Sequence, residues 1–262
     1  MSSTPSASSV PSVPSVPSAP SPSSASSTIA VVGAGPGLGR AIARRFGAAG
    51  HSVALISRDG VKLRGLADSL AAEGVTARAY PADVTDEKGL TSALTTAAEE
   101  LGRIGVLSYS PAPTFPNVSG QVPDLKALGF TSAAETTARS VRPMFDMLTG
   151  GALTAAAAVL PAMREARDGA LLFTTGTTAL TPVPGMSNSG IALAGLRSWA
   201  RGLHDDLAGE GVYVGHLSIS LPIVPGSGEG DPDALADRWY RLAQARDAFE
   251  VTVGGVQGVS SK

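Results

Sequence analysis

From residue 28 onward, short apolar runs rich in valine and isoleucine alternate with stretches of helix length. The runs cover 29–32, 52–57, 77–80, 106–109, 170–174, 212–218 and 250–253. They are short, β-branched and bounded by turn residues, which reads as strand. Between them the apolar spacing predicts helices near 37–49, 60–73, 86–101, 143–166, 188–208 and 232–245. Strand alternating with helix indicates βαβ units, a parallel sheet and helices on both faces. Right-handed crossovers then make a doubly wound α/β sheet of about seven strands the economical topology. The stretches 182–185 and 221–233 are rich in glycine and proline and read as loops. Both follow strands, and ligands of open α/β sheets bind beyond the carboxyl ends of the strands.

Residues 1–27 break this pattern. They are mostly serine and proline with no charged side chain, a composition that buries too little apolar surface to offset ordering entropy, so a disordered tail is expected. The tail lacks the basic start and apolar middle of a signal peptide and the arginines of a transit peptide. Residues 28–262 are expected to form one domain. The net charge of −2 gives no basic surface for nucleic acid. No run of about 18 consecutive apolar residues suggests a membrane span, and a cytoplasmic location is expected. The chain has no cysteine, which excludes disulfides and thiolate chemistry. His51, His204 and His216 are scattered and read as surface or packing residues rather than a zinc site, so no metal is expected.

The first strand runs directly into Gly33-Ala34-Gly35-Pro36-Gly37-Leu38-Gly39, and a helix follows. Glycines allow the tight turn and let backbone amides approach a pyrophosphate, while the helix N-terminus adds free N–H groups and its positive dipole end. The second strand ends in Ser57 and Arg58. An acidic residue there would accept the ribose hydroxyls of NAD; a serine followed by an arginine suits the 2′-phosphate of NADP(H). Pro36 stands where a second basic residue would have strengthened that preference. Asp83 and Val84 follow the third strand, where a carboxylate accepts from an adenine amino group or caps the helix starting near Thr85 or Asp86.

Taken together, Gly33/Gly37/Gly39, Ala82-Asp83-Val84-Thr85, the strand entry Gly169-Ala170-Leu171-Leu172 and the strand entry Gly211-Val212-Tyr213-Val214 resemble the short-chain dehydrogenase/reductase family over about 28–255. The resemblance implies a Rossmann-type sheet of order 3-2-1-4-5-6-7, bound NADP(H), a small-molecule substrate, and a homodimer or homotetramer built through the helices near 143–166 and 188–208. The family's Asn-Asn-Ala-Gly stretch falls on Tyr109-Ser110-Pro111-Ala112 and its Pro-Gly after the sixth strand on Ile219-Ser220. Ser110, Pro111 and Ile219 thereby join Gly33, Gly35, Pro36, Gly37, Leu38, Gly39, Ser57, Arg58, Asp83 and Val84 as candidate cofactor contacts.

The catalytic residues are where the chain departs. Counting back from Gly211, the family's lysine position falls on Leu193, its tyrosine on Ser189 and its serine on Gly176; counting back from Pro161 puts its asparagine on Leu148. A register slid by three places Met186 and Gly190 at the tyrosine and lysine positions. No tyrosine or lysine occurs anywhere in 180–200. The resemblance therefore implies an atypical branch. Three functions stay open: an oxidoreductase acting on an imine, iminium or conjugated acceptor that needs no phenolic acid; a non-redox cyclase or isomerase in an apolar pocket lined by Leu148, Met186, Leu193, Ile219 and Leu221; and an NADP(H)-binding regulatory module. Tyr109, Thr175, Thr177, Thr178 and Ser189 are the candidate polar groups. Trp239 and Tyr240 read as a substrate lid or as packing on the sheet, and Leu196, Trp199 and Leu203 as core or interface.

Overall fold

The computed structural model describes residues 27–113 and 124–255; the expected disordered tail lies outside the described residues except for Ser27. Seven strands form one parallel sheet: β1 (Thr28–Val32), β2 (Ser52–Ser57), β3 (Ala77–Pro81), β4 (Ile104–Tyr109), β5 (Gly169–Gly176), β6 (Val212–Ile219) and β7 (Glu250–Val253), in the order β3-β2-β1-β4-β5-β6-β7. Helices α1 (Leu38–Gly47), α2 (Gly60–Ala72) and α7 (Pro232–Ala245) cover one face. Helices α3 (Glu87–Leu101), α5 (Gly151–Ala166) and α6 (Ser187–Asp206) cover the other. The central strands are buried on both sides, which explains why they read as continuous apolar runs rather than alternating ones.

The helix expected over 143–166 is longer and less regular. It begins as α4 (Ala138–Phe145), passes through a π-helical turn (Asp146–Gly150) and continues as α5. Thr137 caps it: its side chain accepts from the Ser140 amide at 3.2 Å, and the Ser140 hydroxyl accepts from the Thr137 amide at 3.0 Å. Pro143, which suggests a helix start in sequence, sits inside α4. The combined run Ala138–Ala166 spans 29 residues with a mean hydropathy of 1.3 in its most apolar window, long and apolar enough by composition to cross a membrane. Only the consecutive-apolar criterion had missed it. Here 44% of that window is buried inside the fold, and its core face packs on the sheet.

Gly151 allows this helix to lie close to the end of β4. A Cβ there would fall 2.2 Å from the Tyr109 hydroxyl and 2.7 Å from the Val84 carbonyl. At the N-terminus of α6 the buried Asn188 ties the cavity wall to the core. Its Nδ2 donates to the carbonyls of Gly129 (2.9 Å) and Ser140 (3.0 Å), and its Oδ1 accepts from the amides of Thr131 (3.1 Å) and Ser189 (3.0 Å). Replacing it with alanine removes the partner of four backbone groups, most of them only partly open to solvent. Asn188→Ala is expected to cost about 3 kcal/mol, a fall in Tm of roughly 10 °C, and Asn188→Asp, which keeps the acceptor but loses both donors, to lose most of that. Thermal unfolding followed by circular dichroism measures both.

Candidate active site at the carboxyl ends of the strands

A cavity of about 1080 Å³ opens beyond the carboxyl ends of β1, β4, β5 and β6. Its floor is the glycine loop. Gly33 adopts φ +90°, and a Cβ there would fall 2.7 Å from Pro111 N and the Ser110 carbonyl carbon, so only glycine lets the β1 loop pass against the end of β4. A Cβ on Gly39 would fall 2.9 Å from Ala34 Cα, which lets α1 begin tight against the same loop. Gly35 and Gly37, in contrast, would project a Cβ into open space on the cavity side. Gly37, the residue before helix α1, supplies no side-chain cap, and the helix has no acidic residue in its first turn. Its opening amides and positive dipole end are thus left for an anion, the arrangement that binds a pyrophosphate. Pro36 sits at the exposed crest of the turn and does not line the cavity, unlike every other candidate cofactor contact named above.

Ser57 and Arg58, at the end of β2, close one end of the cavity together with Asp83 and Val84. Asp83 does not cap α3. That role belongs to Asp86, which accepts from the Gly89 amide at 3.1 Å. Asp83 Oδ1 instead accepts from the Thr85 amide (2.9 Å) and hydroxyl (2.8 Å). These bonds, the backbone one foremost, hold its carboxyl below the usual carboxylate range, with Arg58 adding its charge. The second oxygen has no hydrogen bond within the described residues, which leaves it to face a ligand.

The other end is apolar. Leu148, Met186, Leu193, Ile219 and Leu221 line it, together with Phe130 and Met147. Gly176 and Ser189 line it as well, so all four positions inferred for the family's catalytic groups meet at one cavity. Among the described lining residues only Arg58 and Asp83 carry a charge, both at the nucleotide end. Tyr109 is not there. Its ring is 1% exposed, its hydroxyl donates to the Met147 carbonyl of the π-helical turn at 2.6 Å, and burial pushes its ionisation far up. That hydroxyl ties β4 to the helix and delivers no proton to the cavity. Trp239 is no lid: it is fully buried and its indole N–H donates to Thr174 Oγ1 at 3.2 Å. Tyr240 packs edge-on to Phe46 beneath the Arg45 guanidinium, between α7 and α1. Trp199 packs edge-on against Phe173 in the core.

The cavity's hydroxyls differ in what stands behind them. Ser110 and Thr174 bond each other at 2.7 Å. Ser189, Thr177 and Thr178 make no side-chain hydrogen bond within the described residues. Thr175 Oγ1 lies 2.8 Å from His216 Nε2. The sequence-based view of the histidines missed this contact. His216 is fully buried in β6 and stacks on Phe249, and Glu250 Oε1 lies 3.4 Å from its Nδ1. Glu250 in turn is held by two nitrogens of the Arg197 guanidinium. Parallel pairing of β6 with β7 sets His216 opposite Glu250, an adjacency that no sequence spacing announces.

A family model described as short chain dehydrogenase matches residues 27–221. Sulfoacetaldehyde reductase 2 of Chromohalobacter salexigens is 30% identical over 235 residues, 85% of each chain. A short-chain dehydrogenase from Rhodopseudomonas palustris superposes with a TM-score of 0.72 at 26% identity, covering 88% of this chain and 99% of that one. A metagenomic short-chain oxidoreductase solved in complex with NADP gives a TM-score of 0.72 at 24% identity, covering 87% and 96%.

Burial holds the His216 imidazole neutral, lowering its pKa from 6.5 to about 4 against the pull of Glu250. In the unfolded chain the ring takes up its proton near 6.5, so between the two values the unfolded state binds more protons. The contribution is complete above pH 6.5 and is lost as pH falls toward 4, by about 3 kcal/mol. Urea unfolding from pH 7.5 to 5 is expected to show this decline, and His216→Gln to flatten it. An equally steep decline in the variant assigns the loss to other groups.

Proposed function

The chain belongs to the short chain dehydrogenase family, and we propose that it transfers a hydride between NADP(H) and an uncharged, largely apolar substrate. The observation that carries this reading is a single cavity with two unlike ends. One end offers the uncapped N-terminus of α1, the open faces of Gly35 and Gly37, and Arg58. The other offers an apolar wall without a charge among the described residues. The first end fits a dinucleotide. Amides of the α1 N-terminus would hold the pyrophosphate, Arg58 the 2′-phosphate, and the free oxygen of Asp83 the adenine amino group. The cofactor supplies the hydride chemistry; the protein supplies placement, exclusion of water and proton handling.

The catalytic centre departs from the family's pattern on this reading. The positions of its serine, tyrosine, lysine and asparagine are assigned to Gly176, Ser189, Leu193 and Leu148, none of them ionisable. Losing a positioned acid costs about 10²–10⁴ in rate. Acceptors that take hydride without prompt protonation suffer least, which favours an imine, an iminium or a conjugated acceptor. Ser189, with no side-chain bond in the described residues, orients such a substrate. The relative named for sulfoacetaldehyde acts on a sulfonate-bearing aldehyde. Among the described residues nothing at the substrate end of this cavity neutralises a sulfonate, so on this reading the two substrates differ in charge. The apolar wall also accommodates a non-redox cyclisation or isomerisation, in which holding a near-attack geometry supplies the acceleration. Product formation that is indifferent to cofactor redox state would select that second reading.

Fluorescence titration is expected to show NADPH bound more tightly than NADH. Arg58→Ala should weaken NADPH by about 10–100-fold, the worth of one charge-assisted contact, and leave NADH within twofold. Equal loss for both dinucleotides would remove Arg58 from the phosphate. A spectrophotometric screen of imines, enones and ketones should find NADPH consumption with the first two classes; tight binding with no turnover on any member counts against the oxidoreductase. In Ser189→Tyr combined with Leu193→Lys, the two new groups stand one helical turn apart on α6. A weak gain of ketone reduction is expected, and a folded, NADPH-binding variant without it means that the assigned register is wrong.

A further inference from the structure

The two charged groups of the cavity wall, Arg58 and Asp83, stand beyond β2 and β3, and the uncapped start of α1 follows β1. In a sheet that continues from β1 to β4 and β5, a dinucleotide laid across these three anchors carries its second nucleoside over the ends of β4 and β5. No charged side chain among the described lining residues stands there, so the hold on that half falls to neutral groups. Ser110, which follows β4, and Thr174, near the end of β5, both line the cavity, and their hydroxyl oxygens lie 2.7 Å apart. We propose that this pair, braced from behind by Trp239, binds the second ribose of the dinucleotide. The proposal rests on the dinucleotide reading above and adds the residues that fix its far half.

The direction of the hydrogen bonds carries the argument. An indole N–H only donates. Trp239 Nε1 donates to Thr174 Oγ1 at 3.2 Å, so Thr174 is the acceptor in that bond. Between Ser110 and Thr174 one hydroxyl donates and the other accepts. If Thr174 donates, the Ser110 proton is left over. If Ser110 donates, Thr174 accepts twice and its own proton is left over. Neither oxygen has a further partner among the described residues. In both arrangements one O–H is left without an acceptor in the chain, on a half-buried residue of the cavity wall. A ligand oxygen at that point satisfies it.

Position selects the ribose. A Cβ on Gly33 would fall 2.8 Å from the Ser110 carbonyl oxygen, so Ser110 lies directly beside the glycine loop that fits the pyrophosphate. The unit joined to the pyrophosphate on the β4 side is the second ribose, whose hydroxyls both accept and donate. The brace makes the pair a fixed donor. Trp239 is fully buried on α7 within the core of that face, so its N–H holds the Thr174 hydroxyl in one orientation. No other cavity hydroxyl among the described residues is set this way. Thr175 is turned to His216, and Thr177, Thr178 and Ser189 have no side-chain hydrogen bond to orient them. Ser110 and Thr174 thus touch the cofactor; Trp239 acts through Thr174 and is a positioning residue.

The test is calorimetric titration of the full chain with three ligands that grow by one unit: 2′-phosphoadenosine 5′-diphosphate, 2′-phosphoadenosine diphosphate ribose, and NADP⁺. The first has the pyrophosphate without the second ribose, the second adds the ribose, and the third adds the nicotinamide. Ser110→Ala combined with Thr174→Val should weaken the second and third by about fivefold or more, the worth of one neutral hydrogen bond, and leave the first within twofold. Retained binding of the first ligand shows that the variant is folded. Thr174→Val leaves the buried indole N–H unpaired; adding Trp239→Phe removes that donor too, and the triple variant replaces the double one if that does not fold. Thr174→Ser keeps the hydroxyl and should stay within twofold of the parent for all three ligands. Trp239→Phe alone should weaken the two ribose-bearing ligands and spare the first, a selectivity that a merely structural role of the indole would not produce. Equal loss for all three ligands, loss confined to NADP⁺, or no loss in the double or triple variant each overturns the proposal, and an indifferent Trp239→Phe overturns the brace. A parent that binds none of the three overturns the dinucleotide reading instead.

Discussion

The closeness of two strand ends governs everything at the site. The loop leaving β1 passes so near the end of β4 that a single Cβ at Gly33 would collide with the Ser110–Pro111 peptide. That approach puts the start of α1 beside the floor of the cavity, and the Gly33 and Ala34 amides lock it by donating to the Ile56 carbonyl at 3.0 and 3.1 Å. Two amides are thereby fixed within the sheet, and those at the start of α1 are left over. Close packing on one side of the loop and openness on the other are two results of one backbone path. A parallel sheet of this order leaves a crevice where successive crossovers diverge to opposite faces. Glycine makes the crevice deep enough to admit a phosphate.

The opposite wall is held by a different device. Asn188 uses both donors and both sides of its acceptor oxygen, and each partner belongs to the segment 129–140 or to α6 itself. Buried amides of this kind specify one arrangement because any other leaves groups unpaired. The Tyr109 hydroxyl does similar work across the cavity. It satisfies a carbonyl of the π-helical turn, a turn type frequent at functional sites because it breaks the regular ladder and re-aims side chains. Leu148, assigned to the family's asparagine position, lies within that turn. In this chain the irregular turn carries an apolar side chain at that position.

How much of this was legible in the sequence depends on how local each cause is. The strands, the glycine loop and Arg58 were legible because their signals are contiguous: β-branched runs, a turn composition, one residue after a strand. The N-terminal part of α4 was not. Pro143 imitates a helix start, and the true start, Thr137 with Ser140 three residues on, forms its capping box with a serine instead of the usual acid or amide. Tyr109 looked available because a tyrosine at a strand end usually faces solvent or ligand; only the close approach at Gly151 encloses it. Trp239 followed a loop and suggested a lid, yet the α7 spacing turns it onto the sheet. The contact of His216 with the cavity wall was invisible because Thr175, His216 and Glu250 are brought together by pairing among β5, β6 and β7, and register between distant strands has no local signature.

On the proposed register an apolar helix face stands where the family carries a tyrosine–lysine pair, and this bears on the electrostatics of the cavity as a whole. An ammonium beside the reacting oxygen would favour negative charge there whatever the substrate. With leucine at Leu193, no cation among the described lining residues offers that help at the substrate end. Developing alkoxide charge must therefore be met by a proton within hydrogen-bond reach, or be avoided by a substrate that is already positive. Behind that wall the Arg197 guanidinium is bound to Glu250, beside the buried His216 imidazole. A charge placed there tunes the basicity of a neutral ring and leaves the wall apolar. Such a cavity discriminates against anionic substrates by the cost of desolvating them without a partner.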